Sequence, residues 1–130
     1  DTLIVATGAH HSYFGHDEWA PFAPGLMTID DATEIRRRIL IAFEAAEREA
    51  TPALREAWMT FVIVGGGPTG VDLGGRRSDK TKNTLRSDFR SIRTEDARII
   101  LVEALDRILP LYPDAASASA ARQLERLGVR

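Results

Sequence analysis

Phe61-Val62-Ile63-Val64 runs directly into Gly65-Gly66-Gly67-Pro68-Thr69-Gly70, and this junction restricts the fold more than any other part of the chain. Four apolar residues rich in β-branched and aromatic side chains make a short buried strand. Glycines at 65, 67 and 70 satisfy G-x-G-x-x-G. Alone, that pattern is weak. Here it follows an expected strand and opens an expected helix. A second apolar run, Arg98-Ile99-Ile100-Leu101-Val102, ends in the acid Glu103. That is the context a dinucleotide fingerprint requires.

Each position has its own physics. The first glycine permits the tight turn, the second lets the backbone approach a pyrophosphate, and the third lets helix and strand pack closely. A diphosphate would then meet unpaired N–H groups and the positive end of the helix. The candidate binding set is Gly65, Gly66, Gly67, Pro68, Thr69, Gly70 and Glu103. Glu103 would accept hydrogen bonds from an adenosine ribose and repel a 2′-phosphate, which favours NADH over NADPH; Arg107 nearby weakens that preference. A glycine-rich turn without a ligand is the alternative, and the coincidence of three spaced glycines with a strand-terminal acid argues against it. One spacing departs from the fingerprint: Glu103 stands 33 residues after Gly70, where an acid roughly 20 residues on is usual. Residues are inserted between helix and second strand.

Composition narrows the function classes. With 130 residues, 44% of them hydrophobic and 28% charged, the chain is of globular type and one domain in size. A net charge of −2 leaves no overall basic footprint for nucleic acid. Residues 76–100 hold eight bases against four acids, but no aromatic residue interrupts Arg76–Lys82, which argues against a nucleic-acid patch. Cysteine is absent, which removes disulfides, Cys-ligated zinc and a thiol redox pair. His10, His11 and His16 match no standard metal spacing, and no metal is expected. Ser12 beside His11 forms no hydrolytic triad. No apolar run approaches the roughly 20 residues of a membrane helix.

Elsewhere the pattern predicts a short strand at Leu3–Ala6 closed by Thr7-Gly8, then a loop over 9–25. An amphipathic helix follows to about Ala50, capped by Asp30 or Asp31 with Glu34 completing a capping box. Thr51-Pro52 restarts a shorter helix. Ala115–Leu127 reads as a helix with Gly128 just beyond its end. Trp19 and Trp58 read as core or interface anchors, and Arg36-Arg37-Arg38 as a solvated face.

Phe61–Val71 together with Thr2-Leu3-Ile4-Val5-Ala6-Thr7-Gly8 resembles the flavoproteins with two dinucleotide-binding domains. Ser12–Trp19, Ala23-Pro24-Gly25-Leu26 and Asp31–Arg36 narrow the resemblance to the type II NADH:quinone oxidoreductases, over nearly the whole chain. The resemblance implies hydride transfer from NADH to FAD, then reduction of a quinone at a membrane surface. It implies that Thr7 and Gly8 lie against FAD, that Gly65, Gly67 and Gly70 cradle the NADH pyrophosphate, and that Glu103 holds its ribose. Asp72 stands where the family carries a glutamate near the nicotinamide and quinone end, which makes it the candidate catalytic carboxylate.

Residues 74–83 depart from the family pattern. They contain no apolar side chain, so they offer no buried stripe; Thr84–Phe89 then resumes the pattern. A locally corrupted reading frame, restored afterwards, would leave such a run.

The expectation is thus an α/β chain, a partial Rossmann-type three-layer nucleotide-binding fold with an incomplete parallel sheet. Residues 1–28 would be the edge of an FAD-binding domain, 29–58 a helical connection, and 59–130 the first part of an NADH-binding domain. The chain reads as a fragment, inactive in isolation. The parent protein would be cytoplasmic and peripheral to the inner face of the plasma membrane, with NADH, FAD and a quinone as partners; a homodimer is compatible with this. Another FAD/NADH-dependent reductase of the same superfamily and a degenerate, non-catalytic copy are the competing readings.

Overall fold

A computed structural model of the chain describes residue 3, residues 11–75 and residues 88–130. Ile4–Ala6, Thr7 and Gly8 lie outside these, as do residues 76–87. The chain divides into two compact units, Asp1–Leu40 and Ile41–Arg130. The division falls inside the expected 29–58 connection.

In the first unit the loop is tightened by one 3-10 turn at Asp17–Trp19, where the Trp19 ring stacks on His16. The Tyr13 hydroxyl donates to the Ala23 carbonyl at 2.6 Å. Helix α1 (Ile29–Arg48) begins two or three residues earlier than the sequence suggested. Its cap is Thr28, not Asp30 or Asp31: the Asp31 amide donates to Thr28 Oγ1 at 3.1 Å, and the Thr28 amide donates to Asp31 Oδ2 at 2.9 Å. Thr28 and Asp31 thereby satisfy two of the amides a helix start leaves unpaired, in the reciprocal manner of a capping box with Asp as its acid. Glu34, one turn further in, instead takes Arg37 and Arg38. Hydrogen bonds from those two guanidinium groups hold its carboxyl down to about 2.

The second unit is built on two parallel strands, β1 (Thr60–Val64) and β2 (Arg98–Val102), in register from Thr60 with Arg98 to Val64 with Val102. Helix α2 (Pro52–Trp58) leads into β1 with proline in its first turn, where its missing N–H costs nothing. Helix α3, described over 68–75, follows the glycine loop, and α4 (Asp114–Arg126) follows β2. One face of the sheet packs: Ile99, Leu124 and Val129 are buried together, with Ile63, Val71, Leu101 and Ile108 against them. The fully buried Phe43 of α1 meets the rings of Phe61 and Phe89. Val62, Val64 and Val102, on the alternate positions, are 57%, 71% and 47% exposed. Parallel sheets are normally covered on both faces. Of the three layers expected, the sheet and one helical layer are among the described residues.

The end of α4 explains how the chain returns to the sheet. Gly128 has φ +83, its amide donates to the Glu125 carbonyl, and the Val129 amide donates to the Leu124 carbonyl. This is a Schellman motif, with Val129 packing on Leu124 as such motifs favour. It delivers Val129 to the free edge of β2, where it bridges Ile99 in parallel; the Leu101 amide donates to the Arg130 carbonyl at 2.7 Å. Val129 thus adds an isolated parallel bridge at the edge of β2, outside the two paired strands of the sheet.

Glu47 near the end of α1 does a job no local pattern indicated. Its carboxylate accepts the amides of Arg90, Ser91 and Ile92 at 2.9 to 3.1 Å, tying the approach to β2 onto the helix. Gly74 and Gly75, the start of the aberrant run, are helical. A Cβ would come no nearer than 3.5 Å to any neighbour at Gly74, and 3.9 Å at Gly75. Both sites have room for alanine. The double substitution to alanine is expected to stabilise the chain by about 1–2 kcal/mol through helix propensity, seen as a raised Tm in a circular-dichroism melt.

Candidate functional site

The glycine loop divides its work among residues much as the fingerprint requires. Gly65 turns the chain out of β1 at φ +106, a conformation that costs an L side chain strain. Its amide still donates to the Val102 carbonyl at 2.8 Å, so the loop leaves the sheet only after the last ladder bond. Gly70, in the first turn of α3, sits so close to the strand end that a Cβ would lie 1.9 Å from the Gly65 carbonyl oxygen. Gly67 is the opposite case: nothing lies within 4 Å of the place a Cβ would take. The open side of the loop is therefore at Gly67, where the N-terminus of α3 presents its amides. Pro68 and Thr69 are exposed in that first turn.

Glu103 stands immediately past β2 and reaches back to the loop. Its Oε2 accepts the Gly66 amide at 2.6 Å and its Oε1 the Leu105 amide at 3.1 Å. Those two amides, Leu105 first, hold its carboxyl below the ordinary range for glutamate. The carboxylate is thus ionised and fixed beside the loop, which is what a hydroxyl-binding acid needs.

Sequence reasoning missed the strap over the middle glycine. The Leu109 amide donates to the Gly66 carbonyl at 2.7 Å, with Leu109 itself at φ +52. A left-handed conformation is costly for a bulky residue and persists only where tertiary contacts impose it. A Cβ on Gly66 would lie 2.8 Å from Ile108 Cγ2 and 2.9 Å from Glu103 Oε2. Both backbone groups of Gly66 are therefore held by the segment 103–109. Nothing local in that segment marks it as a partner of residue 66.

A cavity of about 460 Å³ opens beside Glu103. Leu101, Leu105, Ile108, Ala118 and Ala121 supply apolar walls, with Arg107 and Asp114 at the polar side. The Ser117 hydroxyl donates to the Ile108 carbonyl at 2.6 Å and pins the loop to α4. Asp72 is exposed on α3 and borders a separate cavity of about 240 Å³ against α4, with Gln123 and Leu127. The structure therefore brings Gly65–Gly70 and Glu103 together and sets Asp72 apart from them. Thr7 and Gly8 lie outside the described residues.

Comparison with known proteins agrees with this geometry. The pyridine nucleotide-disulphide oxidoreductase family matches residues 1–130. Two relatives in Mycobacterium tuberculosis, the type II NADH:quinone oxidoreductases Ndh and NdhA, are 48% and 50% identical over 129 residues. Each match takes in 99% of this chain but only 28% and 27% of the relative. A mitochondrial external alternative NADH-ubiquinone oxidoreductase of Yarrowia lipolytica is 38% identical over 112 residues, 86% of this chain and 19% of that protein. Among solved structures, NDH2 from Plasmodium falciparum superposes with a TM-score of 0.84 at 22% identity, over 95% of this chain and 25% of its own. The chain thus spans between about a fifth and somewhat over a quarter of the length of these proteins.

Proposed function

Because the chain belongs to the pyridine nucleotide-disulphide oxidoreductase family, we propose that it is the NADH-binding segment of a type II NADH:quinone oxidoreductase. The observation that carries this reading is the pairing of an ionised Glu103 with an open glycine loop: the acid is fixed by the Gly66 amide, and the space over Gly67 is free. In that arrangement the NADH diphosphate sits over Gly67 and the first turn of α3. The carboxylate of Glu103 accepts from the adenosine ribose hydroxyls, and the apolar walls of the neighbouring cavity cover the nucleoside. Gly65 and Gly70 set the loop's shape, Gly66 couples it to the acid, and Pro68 and Thr69 form the turn that faces the phosphates.

The relatives are named as NADH:quinone oxidoreductases, which supports NADH and a quinone as the two ends of the proposed reaction. When bound, FAD supplies the two-electron chemistry between them, with Thr7 and Gly8 as its contacts in this chain. Asp72 is proposed as the carboxylate at the nicotinamide and quinone end, one methylene shorter than the family's glutamate. The protein's place is the cytoplasmic face of the plasma membrane, as a peripheral protein. Among the described residues, no helix is long and apolar enough to cross a membrane.

Thermal unfolding with and without NADH tests the reading. At about 100 times its dissociation constant, a ligand adds roughly 2.7 kcal/mol to a folded binder, so the melt is expected to rise with NADH and to rise less with NADPH at the same concentration. A melt that neither nucleotide moves would reject it.

A further inference from the structure

Arg107 is a basic residue in the wrong place for an NADH site. It lines the same cavity as Glu103, four residues further along the loop, where a guanidinium would welcome the 2′-phosphate that Glu103 repels. The structure shows what occupies it instead. Arg107 Nη1 pairs with the Asp114 carboxylate at the start of α4, and Nη2 donates to the Pro110 carbonyl at 2.8 Å. Asp114 is almost wholly solvent-exposed, and Arg107 is about one-third exposed. Its carboxylate packs no core, and its described polar contact is with Arg107.

We propose that Asp114 is a specificity-determining residue: it draws the Arg107 guanidinium toward α4, leaving the negative charge of Glu103 unopposed at the ribose. This rests on the nucleotide reading given above. Without Asp114, Arg107 is free either to meet a 2′-phosphate or to neutralise Glu103. Both events shift the balance from NADH toward NADPH. The Pro110 carbonyl retains one contact to Arg107, so the shift is graded, not a full exchange of preference.

Equilibrium binding of NADH and NADPH to the full chain tests this, read as the ratio of their dissociation constants. Asp114→Asn is expected to reduce the preference for NADH by about threefold to tenfold, the range between a solvent-exposed ion pair and a charged hydrogen bond. Asp114→Glu should keep the original ratio, and adding Arg107→Gln to Asp114→Asn should abolish the shift. A ratio unchanged in Asp114→Asn overturns the proposal, as does a shift that persists when Arg107 is also replaced. Failure of the unsubstituted chain to bind either nucleotide is a different result: it overturns the nucleotide reading, and the role of Asp114 with it.

Discussion

Gly70→Ala is expected to cost the chain both its stability and its nucleotide site, whereas Gly67→Ala should cost it the site alone. The two glycines belong to one motif, and only their surroundings separate them. An alanine Cβ at 70 would stand 1.9 Å from the Gly65 carbonyl oxygen, a backbone atom that cannot swing aside. Strand end and helix start must separate, which disturbs Ile63 and Val71 in the packed face. A cost of about 3 kcal/mol is in the range of severe overpacking, or about 10 °C in Tm for a chain of this size. At 67 the same Cβ meets nothing within 4 Å, so the melt should match the unsubstituted chain. The methyl group would nevertheless stand where a diphosphate must approach, and NADH affinity should fall by about tenfold or more, as expected when charged hydrogen bonds are lost. Calorimetric melts paired with NADH titrations read both effects. Equal Tm losses in the two variants would refute this division of labour.

Glu103→Gln should weaken NADH about tenfold to a hundredfold and strengthen NADPH, because hydrogen bonds to a charged group contribute about 1.5–3 kcal/mol and the neutral amide no longer repels a 2′-phosphate. The pH dependence has a definite sign. The Leu105 and Gly66 amides hold the folded-state pKa of Glu103 below its ordinary value. Its contribution is therefore complete above the ordinary glutamate pKa and is lost as pH falls through the lowered one. Between those two values the unsubstituted chain should retain its loop geometry, and further acidification should remove it. Melts and NADH titrations across that acidic window should show the step in the unsubstituted chain and its absence in Glu103→Gln. An identical acid profile in both chains would place the titrating group elsewhere.

Much of this architecture was legible residue by residue. Phe61–Val64 and Arg98–Val102 were legible as strands, because β-branched runs of that length bounded by glycine and an acid fit no amphipathic helix; their expected burial holds on one face only. The three spaced glycines marked the turn between strand and helix, and Gly128 marked the end of α4. The start of α1 was misplaced by two or three residues because Asp30, Asp31 and Thr28 are all competent caps. Only the closed pair of Thr28 and Asp31 distinguishes them. The candidate residue types of the motif were legible as well, but the contact of Glu103 with the Gly66 amide, 37 residues away in sequence, was not.

Tertiary structure decided the rest, for one physical reason: contacts between residues far apart in sequence leave no local period. Glu47 holds the amides of residues 90–92, and Leu109 takes the carbonyl of Gly66. Val129 reaches the edge of β2 only because the Schellman turn after α4 aims it there. Asp114 engages Arg107 across the loop between β2 and α4. The sequence by itself determined that this chain carries a strand, a glycine loop, a helix and an acid suited to a dinucleotide. Folding alone decided which glycine is enclosed, which is open, and which charges line the cavity beside the loop, because those properties belong to the space between elements.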